Sequence, residues 1–321
     1  MISIKNRLRI VVYSVLLFFV ALQAREAYYQ HIGTNGFDLI NPLVPKEAIL
    51  QGGPPKDGIP SIDNPKFLKS AQVKQNGQIK DDDRVLGIYH NGIAKAYPIA
   101  IMNWHEIVND EFDGEMISIT FCPLCGTGMA FETDDIGKLG VSGLLYNSDM
   151  LLYDRKTESL WSQVMETAIS GRFKGDKLRS IPMTYTTWKG WHSAYPESLL
   201  LSRDTGYSRD YDSSPYIGYP TSNVQYFPTA NSDNRYRKKE PVIGLKVGSH
   251  TKVWPLVELR QSSLPIQDNV GGQAITINYD ELTDRAWITN SHNELMATVR
   301  GFWFAWIAFY PDTEVYQFRK P

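Results

Sequence analysis

The chain's chemistry-bearing residues centre on Cys122 and Cys125, its only cysteines, in the run TFCPLCGTGMAF at residues 120–131. A Cys-x-x-Cys spacing lets both sulfurs face one ion, so a soft metal, copper or zinc, is one reading. His105 would supply a third ligand, and Met129 or Met150 a soft fourth. A thiol–disulfide pair is a second reading. A third makes Cys122 a nucleophile with His105 as its base, oriented by Glu106 or Asn109. A structural disulfide, or two buried thiols at a strand end, is the plain alternative. The residues after the motif, Gly126-Thr-Gly-Met-Ala-Phe131, read as turn and then strand. In dithiol oxidoreductases the motif instead opens a helix whose N-terminus acidifies the first thiol, so the pattern weighs against redox chemistry.

The elements that must position these groups are β-type. Met116-Ile-Ser-Ile-Thr-Phe121 alternates as a strand into the motif. Upstream, Val85 to His90 and Ile93 to Tyr97 flank Asn91-Gly92, a strong hairpin signal. Ile101, Trp104, Ile107 and Val108 recur at helical spacing and place His105 at the border of the buried face. Residues 140–154 read as a hairpin turning at Asn147-Ser148-Asp149. A short helix is predicted over 61–68, capped by Ser61. Asp149, Asp154 and Arg155 are further candidates that turn and surface roles explain as well.

The chain then repeats itself. Val85-Leu-Gly-Ile matches Val242-Ile-Gly-Leu245, and Ala96-Tyr-Pro-Ile99 matches Val253-Trp-Pro-Leu256, an offset of 254 − 97 = 157. Residues 115–121 match 273–279 at an offset of 158, as do Val141, Gly143 and Asp154 with Val299, Gly301 and Asp312. The second copy has Asp280 and Thr283 where the first has its cysteines, and Ser262 or Ser263 in place of His105. Residues that only packed a core would be expected to change to apolar ones. Polar replacements point to one site built on the first copy.

The runs NWHEIVND at 103–110, CPLCGT at 122–127, VSGLLYNSD at 141–149 and YDRKTESLWSQ at 153–163 closely resemble the family catalogued as domain of unknown function 3179. Thr186-Thr-Trp188 and Arg209-Asp-Tyr211 fit the same pattern, and the resemblance spans about residues 60–320. It implies an exported or membrane-anchored protein with hallmark positions at the His105 and Cys122 segments. It implies no reaction, because the family has no settled activity.

Composition sets the remaining bounds. The chain has 321 residues, 42% hydrophobic and 21% charged, with a formal net charge of −2. This argues for a folded protein and against nucleic acid as a partner. No nucleotide cofactor is indicated. Lys5, Arg7 and Arg9 precede the apolar run at 10–22, so residues 1–24 read as a signal peptide or an uncleaved signal anchor. The expectation is an extracytoplasmic or periplasmic protein, held to a membrane by that segment if it stays uncleaved. The resulting organisation is an extended N-terminal arm at 25–60, a first β-rich repeat with the Cys/His site at 61–160, a mixed segment at 161–236, and a second repeat lacking the site at 237–321. The predicted fold is mainly β with short helices, of the α+β class, with two pseudo-symmetric copies of one unit packed into a single body.

Overall fold

A computed structural model describes residues 34–320 of the chain. The expected signal segment lies outside them. Among the described residues no helix is long and apolar enough to cross a membrane. The protein is mainly β with a few short helices, as the alternating patterns predict.

Arg84–His90 and Ile93–Pro98 form the expected hairpin. Asn91 and Gly92 both take positive φ (48° and 77°), which the tight turn requires. The helix Ile99–His105 follows and ends at Glu106 in the left-handed conformation. Next come three antiparallel strands, Ile107–Phe112, Glu115–Cys122 and Thr127–Glu132. After a long excursion the chain returns. Arg179–Ile181 pairs with Thr127–Glu132, and Thr184–Thr187 pairs with Arg84–His90. The helix Trp188–Ala194 then leads to Leu199–Leu201, which lies parallel to Ile93–Pro98.

The second unit uses the same order. The hairpin Pro241–Val247 and His250–Pro255 leads through the helix Leu256–Leu259 to the strands Ile266–Val270, Gln273–Asp280 and Arg285–Asn290. Val299–Phe302 then pairs with residues 241–244 just as 184–187 pairs with 84–87. The helix Trp303–Phe309 leads to Glu314–Val315, parallel to His250–Pro255. Trp191 packs on Gly87 and Trp306 on Gly244, so the two tryptophans correspond at an offset of 306 − 191 = 115. The match of Val141, Gly143 and Asp154 to Val299, Gly301 and Asp312 is therefore corrected. Strand 299–302 is the counterpart of 184–187, so the first unit extends into the segment 161–236 that the sequence pattern sets apart as mixed.

This register isolates residues 134–178. Ser180 pairs with Phe131, as Leu295 bridges Thr289, so the second unit crosses the same gap by a short turn near His292. In the first unit the gap carries Leu139–Tyr146, Asp149–Asp154, Leu160–Ser162 and Thr167–Ser170, four strands of a five-stranded sheet. Its fifth strand is Ile49–Gln51, paired with residues 144–146. The segment 34–60 is thus not a free surface arm: Phe37, Leu39, Val44 and Ile49 are buried against Leu144, Tyr153 and Ile169. Those apolar residues, scattered among Gly, Pro and Asn, gain more by burial than an extended arm would. The helix predicted over 61–68 is also corrected and lies at Ser70–Asn76. Ile62 bonds through its backbone to Ile107 and Asn109 instead, while Phe67–Leu68 forms a short strand.

A Cβ at Gly87 would sit 2.2 Å from Trp191, and one at Gly244 2.3 Å from Trp306. Gly87→Ala and Gly244→Ala are each expected to destabilise by about 1–3 kcal/mol through overpacking. A shift of the urea midpoint toward lower concentration checks this.

Candidate functional site

The turn 123–126 joins Glu115–Cys122 to Thr127–Glu132, with Cys122 paired to Thr127 across the hairpin. Gly126 takes φ +63°, and its α-carbon faces the Phe302 ring so closely that a Cβ would meet it at 3.0 Å. The Phe302 N–H also donates to Cys125 O at 2.9 Å, so the second unit holds the turn in place.

The excursion brings the third member. Leu139–Tyr146 and Asp149–Asp154 form the expected hairpin, turning at Asn147 and Ser148, both with positive φ. That turn lays Ser148 O against the thiols: Cys125 Sγ donates to it at 3.2 Å, and Cys122 Sγ lies 4.0 Å away. Asp149, the next residue, places its carboxylate with the two sulfurs. One ligand atom from each of Cys122, Cys125 and Asp149 lies within 4.8 Å of the others. All three side chains are buried, and the cysteines are free thiols. The three could hold a metal ion.

Neutral groups frame the carboxylate. The Val164 N–H donates to Asp149 Oδ2 at 3.3 Å, and the Thr127 hydroxyl lies 3.3 Å from Oδ1. Thr127 also donates to Gln163 Oε1 (2.7 Å), whose amide donates to Thr120 Oγ1 (2.7 Å). Burial pushes Asp149 from 3.8 up to about 7. It raises Glu106 from 4.5 to about 8, against the pull of Tyr216, whose hydroxyl donates to Glu106 Oε1 at 3.1 Å. Burial also raises both thiols, and the neighbouring Asp149 charge adds to it. Four buried acids thus repel one another's charge, because the Glu106 field also acts on Cys122. A cation placed among them would reverse each of these shifts.

The predicted ligands divide. Cys122 and Cys125 meet as expected. His105 does not join them: its Nδ1 bonds to Pro60 O (2.8 Å) and its Nε2 to the Tyr211 hydroxyl (2.6 Å). With both nitrogens committed and its charge disfavoured by burial, His105 anchors the helix end to neighbouring loops. It offers Cys122 no base. Met129 and Met150 are buried in the same apolar cluster as the cysteines, and Met129 also lines a cavity of about 340 Å³ beside Met183 and Trp306. Asp154 serves structure, accepting from the Thr157 and Ser159 N–H groups and from Trp161 Nε1. Asp149 was legible only as one turn acid among several, and nothing in its local spacing ties it to position 122.

The second unit repeats the turn without the site. At Asp280 and Thr283 the Thr283 hydroxyl donates to Asp280 Oδ2 at 2.6 Å, across the positions that Cys122 and Cys125 hold. The turn is therefore built equally well without sulfur.

The thiols' inaccessibility has a direct consequence. In folded, chelator-treated protein, Cys122 and Cys125, 1% and 0% exposed, are expected to react with a disulfide reagent at least tenfold more slowly than in urea. Equal rates in the two conditions would contradict the buried, raised-pKa geometry.

The family described as "Protein of unknown function (DUF3179)" matches residues 56–297. No curated protein and no solved structure matches the chain.

Proposed function

The chain belongs to the DUF3179 family of unknown function, and from that premise we propose that it is an extracytoplasmic metal-binding protein whose centre is Cys122, Cys125 and Asp149. The observation that carries this reading is the meeting of two thiols and a carboxylate, all buried, within 4.8 Å. Uncompensated burial of several ionisable groups is costly, and a coordinated cation removes that cost. Two thiolates with one carboxylate oxygen suit zinc, a borderline ion that accepts both sulfur and oxygen. Copper(I) prefers a purely sulfur set and would leave Asp149 unused. Three protein ligands leave a fourth position for water or a substrate group, the pattern of catalytic rather than structural zinc. Glu106, whose carboxyl burial raises to about 8 in the metal-free chain and whose charge acts on Cys122, would release its proton more readily beside a bound cation and could then accept one from a metal-bound water.

The thiol-redox alternative lacks a helix N-terminus at the motif, and its thiols are raised rather than acidified. The nucleophile alternative lacks its base, since both His105 nitrogens are committed elsewhere.

Elemental analysis of the full chain, purified without an immobilised-metal column, tests the proposal. It is expected to give about one zinc per chain that survives gel filtration. Metal-free protein that takes up neither zinc nor copper(I) on titration would overturn it.

A further inference from the structure

The cavity against the cysteine turn holds a second arrangement that the metal reading does not use. It measures about 250 Å³ and is lined by Pro123 and Gly126 of the first unit and by Asp284, Arg300 and Phe302 of the second. Its lining comes from equivalent positions of the two units. Arg84 and Pro241 correspond at the offset of 157, Gly126 and Asp284 at 158, and Tyr185 and Arg300 at 115, and all six line it. The void thus lies where the two units meet, a common place for ligand sites.

Its charge is unbalanced. Asp284 is the only carboxylate among the lining residues, and it serves both arginines: Arg84 Nη1 and Arg300 Nη2 (3.0 Å) each donate to Oδ2. Oδ1 is taken by the Tyr279 hydroxyl at 3.1 Å, with Arg260 Nη2 a further 3.9 Å away. The Arg300 side chain is only 9% exposed, yet its Nη1 has no hydrogen-bond partner, and neither has Arg84 Nε. A buried N–H without an acceptor costs free energy that a protein ordinarily avoids. Both guanidiniums lie over the Tyr185 ring, at 4.5 and 5.5 Å from its centroid. Ring contact orients them but supplies no oxygen acceptor. The rest of the wall is largely apolar, with Phe121, Ile99 and Phe302.

We propose that this inter-unit cavity binds a small organic carboxylate, its charged end on Arg84 and Arg300 and its hydrocarbon body against Phe121, Tyr185 and Phe302. Two arginines and one aspartate leave a single net positive charge, which one carboxylate neutralises. Planar guanidiniums match a carboxylate's two oxygens. Inorganic phosphate, a mixture of monoanion and dianion at neutral pH and without an apolar body, fits the apolar walls less well.

Calorimetric titration of the full chain with benzoate and hexanoate, alongside benzamide and inorganic phosphate, tests the proposal. Both carboxylates are expected to bind at millimolar concentration or tighter and benzamide at least tenfold more weakly. Arg300→Met is expected to lose at least tenfold in carboxylate affinity. Arg84→Gln, at a more exposed position, should do the same and keeps the test available if the Arg300 variant does not fold. No carboxylate binding to folded wild-type chain, binding of phosphate alone, or unchanged affinity in a folded variant would each overturn it. The readout needs no metal, so its failure leaves the Cys122–Cys125–Asp149 proposal standing, and loss of that proposal leaves this one intact.

Discussion

Cys122→Ser is expected to yield a folded protein that does not retain the proposed metal. A serine hydroxyl does not ionise near neutral pH, so the variant loses one thiolate ligand outright. A four-ligand zinc site binds with about 10–16 kcal/mol, or roughly 3 kcal/mol per ligand. The expected drop in affinity is therefore at least about a hundredfold, and the zinc recovered after gel filtration falls to background. Folding should survive, because the second unit builds the same turn with Asp280 and Thr283. Elemental analysis with circular dichroism of the same sample separates the two outcomes. Full zinc retention in folded Cys122→Ser would remove the thiol from the centre. Loss of fold along with metal would leave Cys125→Ser to decide, since Thr283 occupies that place in the second unit.

The second large effect is a pH dependence whose sign differs between metal-free and loaded protein. Burial raises Asp149 from 3.8 to about 7, so the folded metal-free chain holds this proton more tightly than the unfolded chain does. Such a group contributes full stability below about pH 4, loses it as pH rises through 7, and adds nothing further above that. The span corresponds to roughly 4 kcal/mol. Glu106, raised from 4.5 to about 8, acts with the same sign over a slightly higher window. Chelator-treated protein is therefore expected to unfold at lower urea at pH 8 than at pH 5. Asp149→Asn should remove the Asp149 share and flatten the profile between pH 4 and 7. Binding of the proposed metal is expected to reverse the trend, since the ion would compete with these protons and bind more tightly as pH rises. Identical urea midpoints against pH in wild type and Asp149→Asn would show that Asp149 is not the strained acid.

Several features were legible because they depend on near neighbours. Asn91-Gly92 can only close a tight turn, and the alternation before Cys122 can only present a strand. Asn147-Ser148 turned where its residue types allow positive φ. The repeat, too, was readable wherever the two units keep their spacing to within one inserted residue, from 84 to 133 and from 241 to 291. It misled where the spacing broke. Residues 134–178 shift the offset from 158 to 115, and a constant offset carried Val141 onto Val299. The tryptophans that identify the true counterparts, Trp191 and Trp306, match through the glycines beneath them, Gly87 and Gly244, far away along the chain.

By itself the sequence determined the β-rich class, the strand–turn–strand that carries Cys122 and Cys125, and their absence from the second copy. These follow from side-chain period and turn chemistry, which act over a few residues. Only the tertiary structure decided the company those thiols keep. His105 stands 17 residues before Cys122 and on a plausible face, yet Pro60 and Tyr211, which it meets through folding, take both its nitrogens. Asp149 stands 27 residues after Cys122 and reaches it because the excursion folds its own sheet back over the turn. Arg84 and Arg300, 216 residues apart, share one carboxylate because the two units close on each other. Ligand sets depend on distances of a few ångströms between segments whose separation along the chain carries no such information. Strand pairing and packing set those distances.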